Sequence, residues 1–129
     1  MSREIKFRAW DKETKSMIKE VWEIGLKSNY NQPWLMGDDK RTDNFELMQY
    51  TGLKDKDGKE IYEGDVARIW ADPKDYNGYK GHNYIGVVEW DEFILGFILS
   101  DGHGLKDFEF IEIVGNIYEN PELLNKEGE

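Results

Sequence analysis

The chain has 129 residues, enough for one domain with a core of its own. Its 27 acidic residues against 17 basic ones leave a net charge of −10, which repels phosphate backbones and argues against direct nucleic-acid binding. There is no cysteine, which excludes disulfides, thiolate zinc sites and cysteine nucleophiles.

Aromatic residues are 14% of the chain, and their large buried areas offset a low aliphatic share, so the 34% charged residues do not mark a disordered chain. The first ten residues are charged and lack an apolar core, so they do not read as a signal peptide. No run is long enough to span a bilayer, and the expected compartment is the cytoplasm, with no membrane partner.

In chain order, residues 5–11 (IKFRAWD) alternate, with Ile5, Phe7 and Ala9 on one face. The polar run 11–15 (DKETK) suits a turn, and 16–26 reads as a second strand with Ile18, Trp22, Ile24 and Leu26 on one side. Together these predict an N-terminal hairpin within residues 1–27. Residues 28–44, rich in Asn and Asp with Pro33 and Gly37, read as a loop anchored by Trp34, Leu35 and Met36.

The stretch 47–70 (LMQYTGLKDKDGKEIYEGDVARIW) is the organising centre of the chain. Residues 45–50 form a strand, and Asp57–Gly58 supplies the positive-φ pair of a tight hairpin turn. Ile61 and Tyr62 return, and Glu63, Gly64 and Asp65 turn again, with Gly64 expected at φ > 0 and Asp65 expected to bond backbone N–H groups. Residues 66–71 alternate Val66, Arg68 and Trp70 against Ala67, Ile69 and Ala71, in the manner of strands in small SH3-like barrels.

Residues 72–83 (DPKDYNGYKGHN) read as a flexible loop carrying Tyr76 and Tyr79. Strands follow over 84–90 and 93–100, with a turn at Asp91–Glu92 that is not a preferred two-residue pair and is expected to be longer. After the turn at 101–104, residues 105–110 and 111–118 are again strand-like. Asn120, Pro121 and Glu122 signal a short helix over 120–126, with Asn120 as its cap and Pro121 at its first position. The whole is predicted to be one all-β domain over 1–129, mainly β, a short-stranded barrel or sandwich with SH3-like features and a short C-terminal helix; its body is 45–119.

The runs KFRAWDKETKSMI, LMQYTGLKDKDGKEIYEGDV, GVVEWDE and VGNIYENPELL resemble the YopX family, small proteins encoded mostly by bacteriophages and prophages. The match covers nearly the whole chain and is most specific over 49–65, through Tyr50, Gly52, Leu53, Asp57, Gly58, Tyr62, Gly64 and Asp65. The resemblance implies a phage-related origin and a β-rich domain. It brings no catalytic residues with it.

Candidate chemistry is sparse. Counted from Asp55, a calcium-loop glycine belongs at the sixth position, where Glu60 stands, so DKDGKE reads as a solvated hairpin tip. His82 and His103 are the only histidines, and a metal site needs three or four converging ligands. Glu63 and Asp65, and Glu89, Asp91 and Glu92, are pairs of the kind acid–base catalysis uses, but 27 acids make pairs by chance. The strand tryptophans Trp10, Trp22, Trp70 and Trp90 read by default as core or strand-edge packing, the rival being that some form an exposed anchor cluster for a partner. No cofactor, metal or catalytic residue is assigned. The expected function is non-enzymatic: binding of a protein partner or self-assembly, with Tyr76 and Tyr79 as partner-binding residues. The alternatives are an acidic DNA mimic that inhibits a host nucleic-acid-binding protein, and a small metal-assisted hydrolase using His82 or His103.

Overall fold

Strand alternation at the N-terminus produces the first hairpin. In the computed structural model, which describes residues 4–27, 32–70, 83–93, 95–100 and 111–125, β1 (Phe7–Asp11) pairs antiparallel with β2 (Ser16–Ile18), Ala9 opposite Ile18. The expected second strand is cut in two. Beyond Ile18 the chain leaves β1, and β3 (Val21–Leu26) pairs instead with β4 (Pro33–Gly37). The break falls where the Lys19 and Glu20 amides donate to the Asp38 carboxylate rather than to a neighbouring strand.

The segment expected to be a loop, 28–44, contains a second hairpin. β4 turns into β5 (Lys40–Thr42) through Asp38 and Asp39, both at positive φ (49° and 65°). That is the backbone a two-residue type I′ turn requires, and Asp is among the residues that tolerate it. Leu35, in the middle of β4, is fully buried and serves as the expected anchor, while Trp34 and Met36 are only partly covered.

β6 (Phe45–Lys54) is longer than the sequence suggests, and its first part pairs with β1. The chain divides into two compact units, Met1–Tyr50 and Thr51–Glu129, and β6 runs through the division. In the first unit Ala9, Ile18 and Leu35 form the core, with Val21 and Phe45 packed against them.

In the second unit β7 (Glu60–Tyr62) returns alongside β6. β8 (Asp65–Trp70), β9 (Asn83–Asp91), β10 (Gly96–Leu99) and β11 (Ile111–Asn116) make an antiparallel sheet of order β10-β9-β8-β11. Flanked on both sides, β8 buries Val66 and Ala67 alike. Ile61, Ala67, Val88, Leu99, Ile111 and Ile113 form this unit's core, with Leu53, Ile69 and Phe97 against it.

The C-terminal helix is a single turn, α1 (Glu122–Asn125), shorter than expected and starting after Pro121. Asn120 does not cap it through its side chain. Its Oδ1 turns back to accept the Asn116 amide, and it is the Asn120 carbonyl that accepts the Leu123 amide. Gly115 permits this, since a Cβ there would meet Asn120 Oδ1 at 2.5 Å. The fold is all-β with one short C-terminal helix, as the sequence predicts. No helix among the described residues is long and apolar enough to cross a membrane. The strand expected over 105–110 lies outside the described residues.

Candidate functional site

The central motif carries two hydrogen-bonded turns, and two of its carboxylates, Asp55 and Asp65, are buried. Tyr50 is buried; its amide donates to the Lys6 carbonyl, and the Lys6 ammonium sits 5.1 Å from its ring centroid. Thr51 is buried and donates to the Ile61 carbonyl across the hairpin, and Leu53 packs on the second core. Gly52 and Gly58 have positive φ (88° and 83°). Asp57 does not, so the expected positive-φ pair is a single residue, and Asp57 lies exposed beside the Lys56 ammonium.

Asp55, which sequence reasoning placed on a solvated tip, is buried. One carboxylate oxygen accepts the Asp57 and Lys59 amides, both at 2.9 Å, and the other accepts the Ile113 amide at 3.0 Å. The Lys56 amide donates to the Ile111 carbonyl, so the hairpin end is tied to β11. Burial alone would raise the Asp55 pKa, but the bonds from Ile113, Lys59 and Asp57 outweigh it and hold the carboxyl below its ordinary value.

The turn that follows is as expected at Gly64, with φ 85°, and at Asp65, whose Oδ2 accepts the Tyr62 amide at 2.8 Å. Tyr62 is buried, and Gly64 bonds outward through both backbone groups, donating to the Val88 carbonyl and accepting from Ile117. Asp11 does in the first unit what Asp55 does in the second. It is buried and accepts Thr14 Oγ1 at 2.9 Å, the Glu13 amide at 3.0 Å, Lys40 Nζ at 3.1 Å and Thr42 Oγ1 at 3.2 Å. Burial would raise its pKa; the Thr14, Lys40 and Glu13 bonds lower it on balance. DKETK and DKDGK are thus the same device: a leading Asp whose carboxylate organises the turn after it.

Of the roughly four acceptor sites of an ionised carboxylate, Asp55 gives three to backbone amides. The two buried acids of the motif, Asp55 and Asp65, hold its turns. Among the described residues no three His, Asp or Glu side chains come together in a way that would hold a metal ion. His82, His103, Tyr76 and Tyr79 lie outside the described residues.

Two of the strand tryptophans depart from the default packing reading toward its rival, and the bare Phe93 and Leu95 were missed. Tryptophans read as core or edge packing include Trp22, 54% exposed on β3, and Trp90, 46% exposed on β9. The turn between β9 and β10 is longer than Asp91–Glu92, as expected, and it carries Phe93 and Leu95 bare, at 98% and 74% exposure. Leu95 is held at φ 54°, a conformation costly for a branched side chain, and the Asp91 carboxylate fixes the turn by accepting the Phe93 amide at 2.8 Å. Behind the tip Trp90 packs edge-on against Phe97, their ring centres 5.2 Å apart. The signal available in the sequence was the apolar run after EWDE, which reads equally well as the start of a strand.

A family model described as YopX protein matches residues 6–125. The chain is similar to the crystal structure of protein EF1440 from Enterococcus faecalis, at 25% identity and a TM-score of 0.64, over 95% of this chain and 99% of that one. It is also similar to the crystal structure of protein yopX from Bacillus subtilis, at 24% identity and a TM-score of 0.55, over 92% and 96% of the two chains. No curated protein matches the chain.

Proposed function

The chain belongs to the YopX protein family, and from that premise we propose that it is a non-enzymatic accessory protein of phage or prophage origin that acts in the cytoplasm by binding a protein partner. The observation that supports this reading is the β9–β10 tip, where Phe93 and Leu95 stand in water. Burying one such side chain is worth about 1.5–3 kcal/mol, and the free chain forgoes that gain at both positions. Leu95 adds strained backbone, a feature that clusters at binding sites.

The tip's surroundings describe the partner. Glu89, Asp91 and Glu92 flank the apolar pair, so the complementary surface is an apolar cleft rimmed by Lys or Arg. Two anchors do not make an interface, since association itself costs several kcal/mol. Tyr76 and Tyr79 belong to the same proposal as further contacts on a neighbouring stretch of sequence.

The test is a quantitative pull-down from bacterial lysate with tagged wild type, Phe93→Ser/Leu95→Ser and Tyr76→Ser/Tyr79→Ser. A protein retained by the wild type and lost by the first variant supports the reading. Identical retention by wild type and the first variant contradicts it.

A further inference from the structure

A different strand carries a second surface, independent of the β9–β10 tip. β3 is an outer strand of the sheet β3-β4-β5, and among the described residues no strand pairs with its free side. Ile24 and Leu26 share one face of it and are 45% and 65% exposed. The bulge in β3 lies between Val21 and Glu23, so from Glu23 onward the strand is regular.

Its free side offers backbone groups in a definite pattern. The Lys27 amide donates to the Gln32 carbonyl, which aims residue 27, and by alternation Gly25 and Glu23, at β4. Ile24 and Leu26 therefore turn their N–H and C=O groups away from the sheet. A strand laid antiparallel along this edge must place its own outward-facing residues opposite these two.

We propose that the occupant is a second copy of this chain, paired β3 to β3 about a two-fold axis at Gly25. In that register Ile24 lies opposite the partner subunit's Leu26, so both outward-facing residues meet their like. Glu23 lies opposite the partner's Lys27, and by symmetry Lys27 opposite the partner's Glu23, giving opposite charges across the join at both ends. Gly25 meets its own copy at the centre, and the Trp34 ring of its own chain lies over it on the face of the charged pairs. The apolar pairs share one face and the charged pairs the other, as cross-strand neighbours must. Lys27 already binds Asp43 of its own chain at 2.6 Å, so in the pair its ammonium lies between Asp43 and the partner's Glu23. The pairing joins two three-stranded sheets into one of six, and so short a contact makes a weak, reversible dimer.

Sedimentation equilibrium across micromolar to millimolar protein tests this. The wild type is expected to show a monomer–dimer equilibrium. Glu23→Lys and Lys27→Glu each place like charges at both ends of the join and weaken the dimer by roughly tenfold, and the double reversal restores it. Leu26→Asp, which disturbs no ion pair, dissociates the dimer and keeps the test open if Lys27→Glu fails to fold beside Asp43. A wild type that is monomeric throughout overturns the proposal. So does a dimer that Glu23→Lys and Leu26→Asp leave unchanged, or one that the double reversal does not rescue once both single reversals have weakened it.

Discussion

Asp55 sets the pattern at the scale of single residues. Its carboxylate joins the two ends of one turn to β11, 58 residues further on at Ile113. Removing it by Asp55→Ala leaves the buried Ile113 amide and the part-buried Asp57 and Lys59 amides without their acceptor, and urea unfolding is expected to show a loss of about 2–4 kcal/mol. The pH dependence follows from the same bonds. Both Asp55 and Asp11 have folded-state pKa values below the ordinary carboxylate value. Their contribution is therefore complete above the unfolded pKa of about 4 and is lost as pH falls below it toward the folded values. Stability measured from neutral pH down into that range should fall, and it should fall less steeply in Asp55→Asn, which has no charge to lose. A parallel acid limb in wild type and variant would show that Asp55 is not ionised by its bonds. Gly64→Val places a β-branched side chain at φ 85° and is expected to cost about 1–3 kcal/mol, read from the denaturation midpoint. Gly64 was legible because a glycine between two acids before an alternating run has few other uses. Asp55 was legible only as a turn residue, since its third donor is remote in sequence.

Elements were legible where alternation and a turn signal coincide, as at β1, β6 and β8. They were not where one strand hands over to another. Alternation continues from Ser16 to Leu26, so nothing local marks the break after Ile18; the cause is Asp38, which captures two amides from the next hairpin. The β4–β5 hairpin was hidden because Gly37, Asp38 and Asp39 look like ordinary loop composition, although two adjacent Asp can fill both left-handed positions of a type I′ turn. Two substitutions separate these roles. Asp39→Gly relieves a left-handed Asp and should stabilise by up to about 1 kcal/mol, whereas Asp38→Ala should destabilise by about 1–2 kcal/mol because it frees the Lys19 and Glu20 amides. Thermal unfolding of the pair checks both signs, and an equal loss in both would mean that the turn rather than the capture matters. Trp22 and Trp90 show the limit of period-two reasoning, which assigns faces but not whether anything covers them.

For the molecule as a whole, two acids of the central motif, Asp55 and Asp65, are turned inward, while bulky apolar side chains stand outside on β3 and at the β9–β10 tip. The all-β class was legible from many short alternating runs, and far-UV circular dichroism should be β-type with little helix. A helix-dominated spectrum would contradict the strand assignment. The outward placement was not legible, because a sequence does not say which of two apolar residues wins the limited space of a small core.

That division between inside and outside is tested most directly by urea unfolding of Phe93→Ser/Leu95→Ser beside Ile61→Ala. Ile61 is fully buried in the second core, and its truncation should cost about 2–5 kcal/mol. The double variant removes far more apolar surface, but surface that is already wet, so its midpoint should stay with the wild type. A loss in the double variant comparable to that of Ile61→Ala would contradict the account, because it would show that Phe93 and Leu95 are part of the folded core.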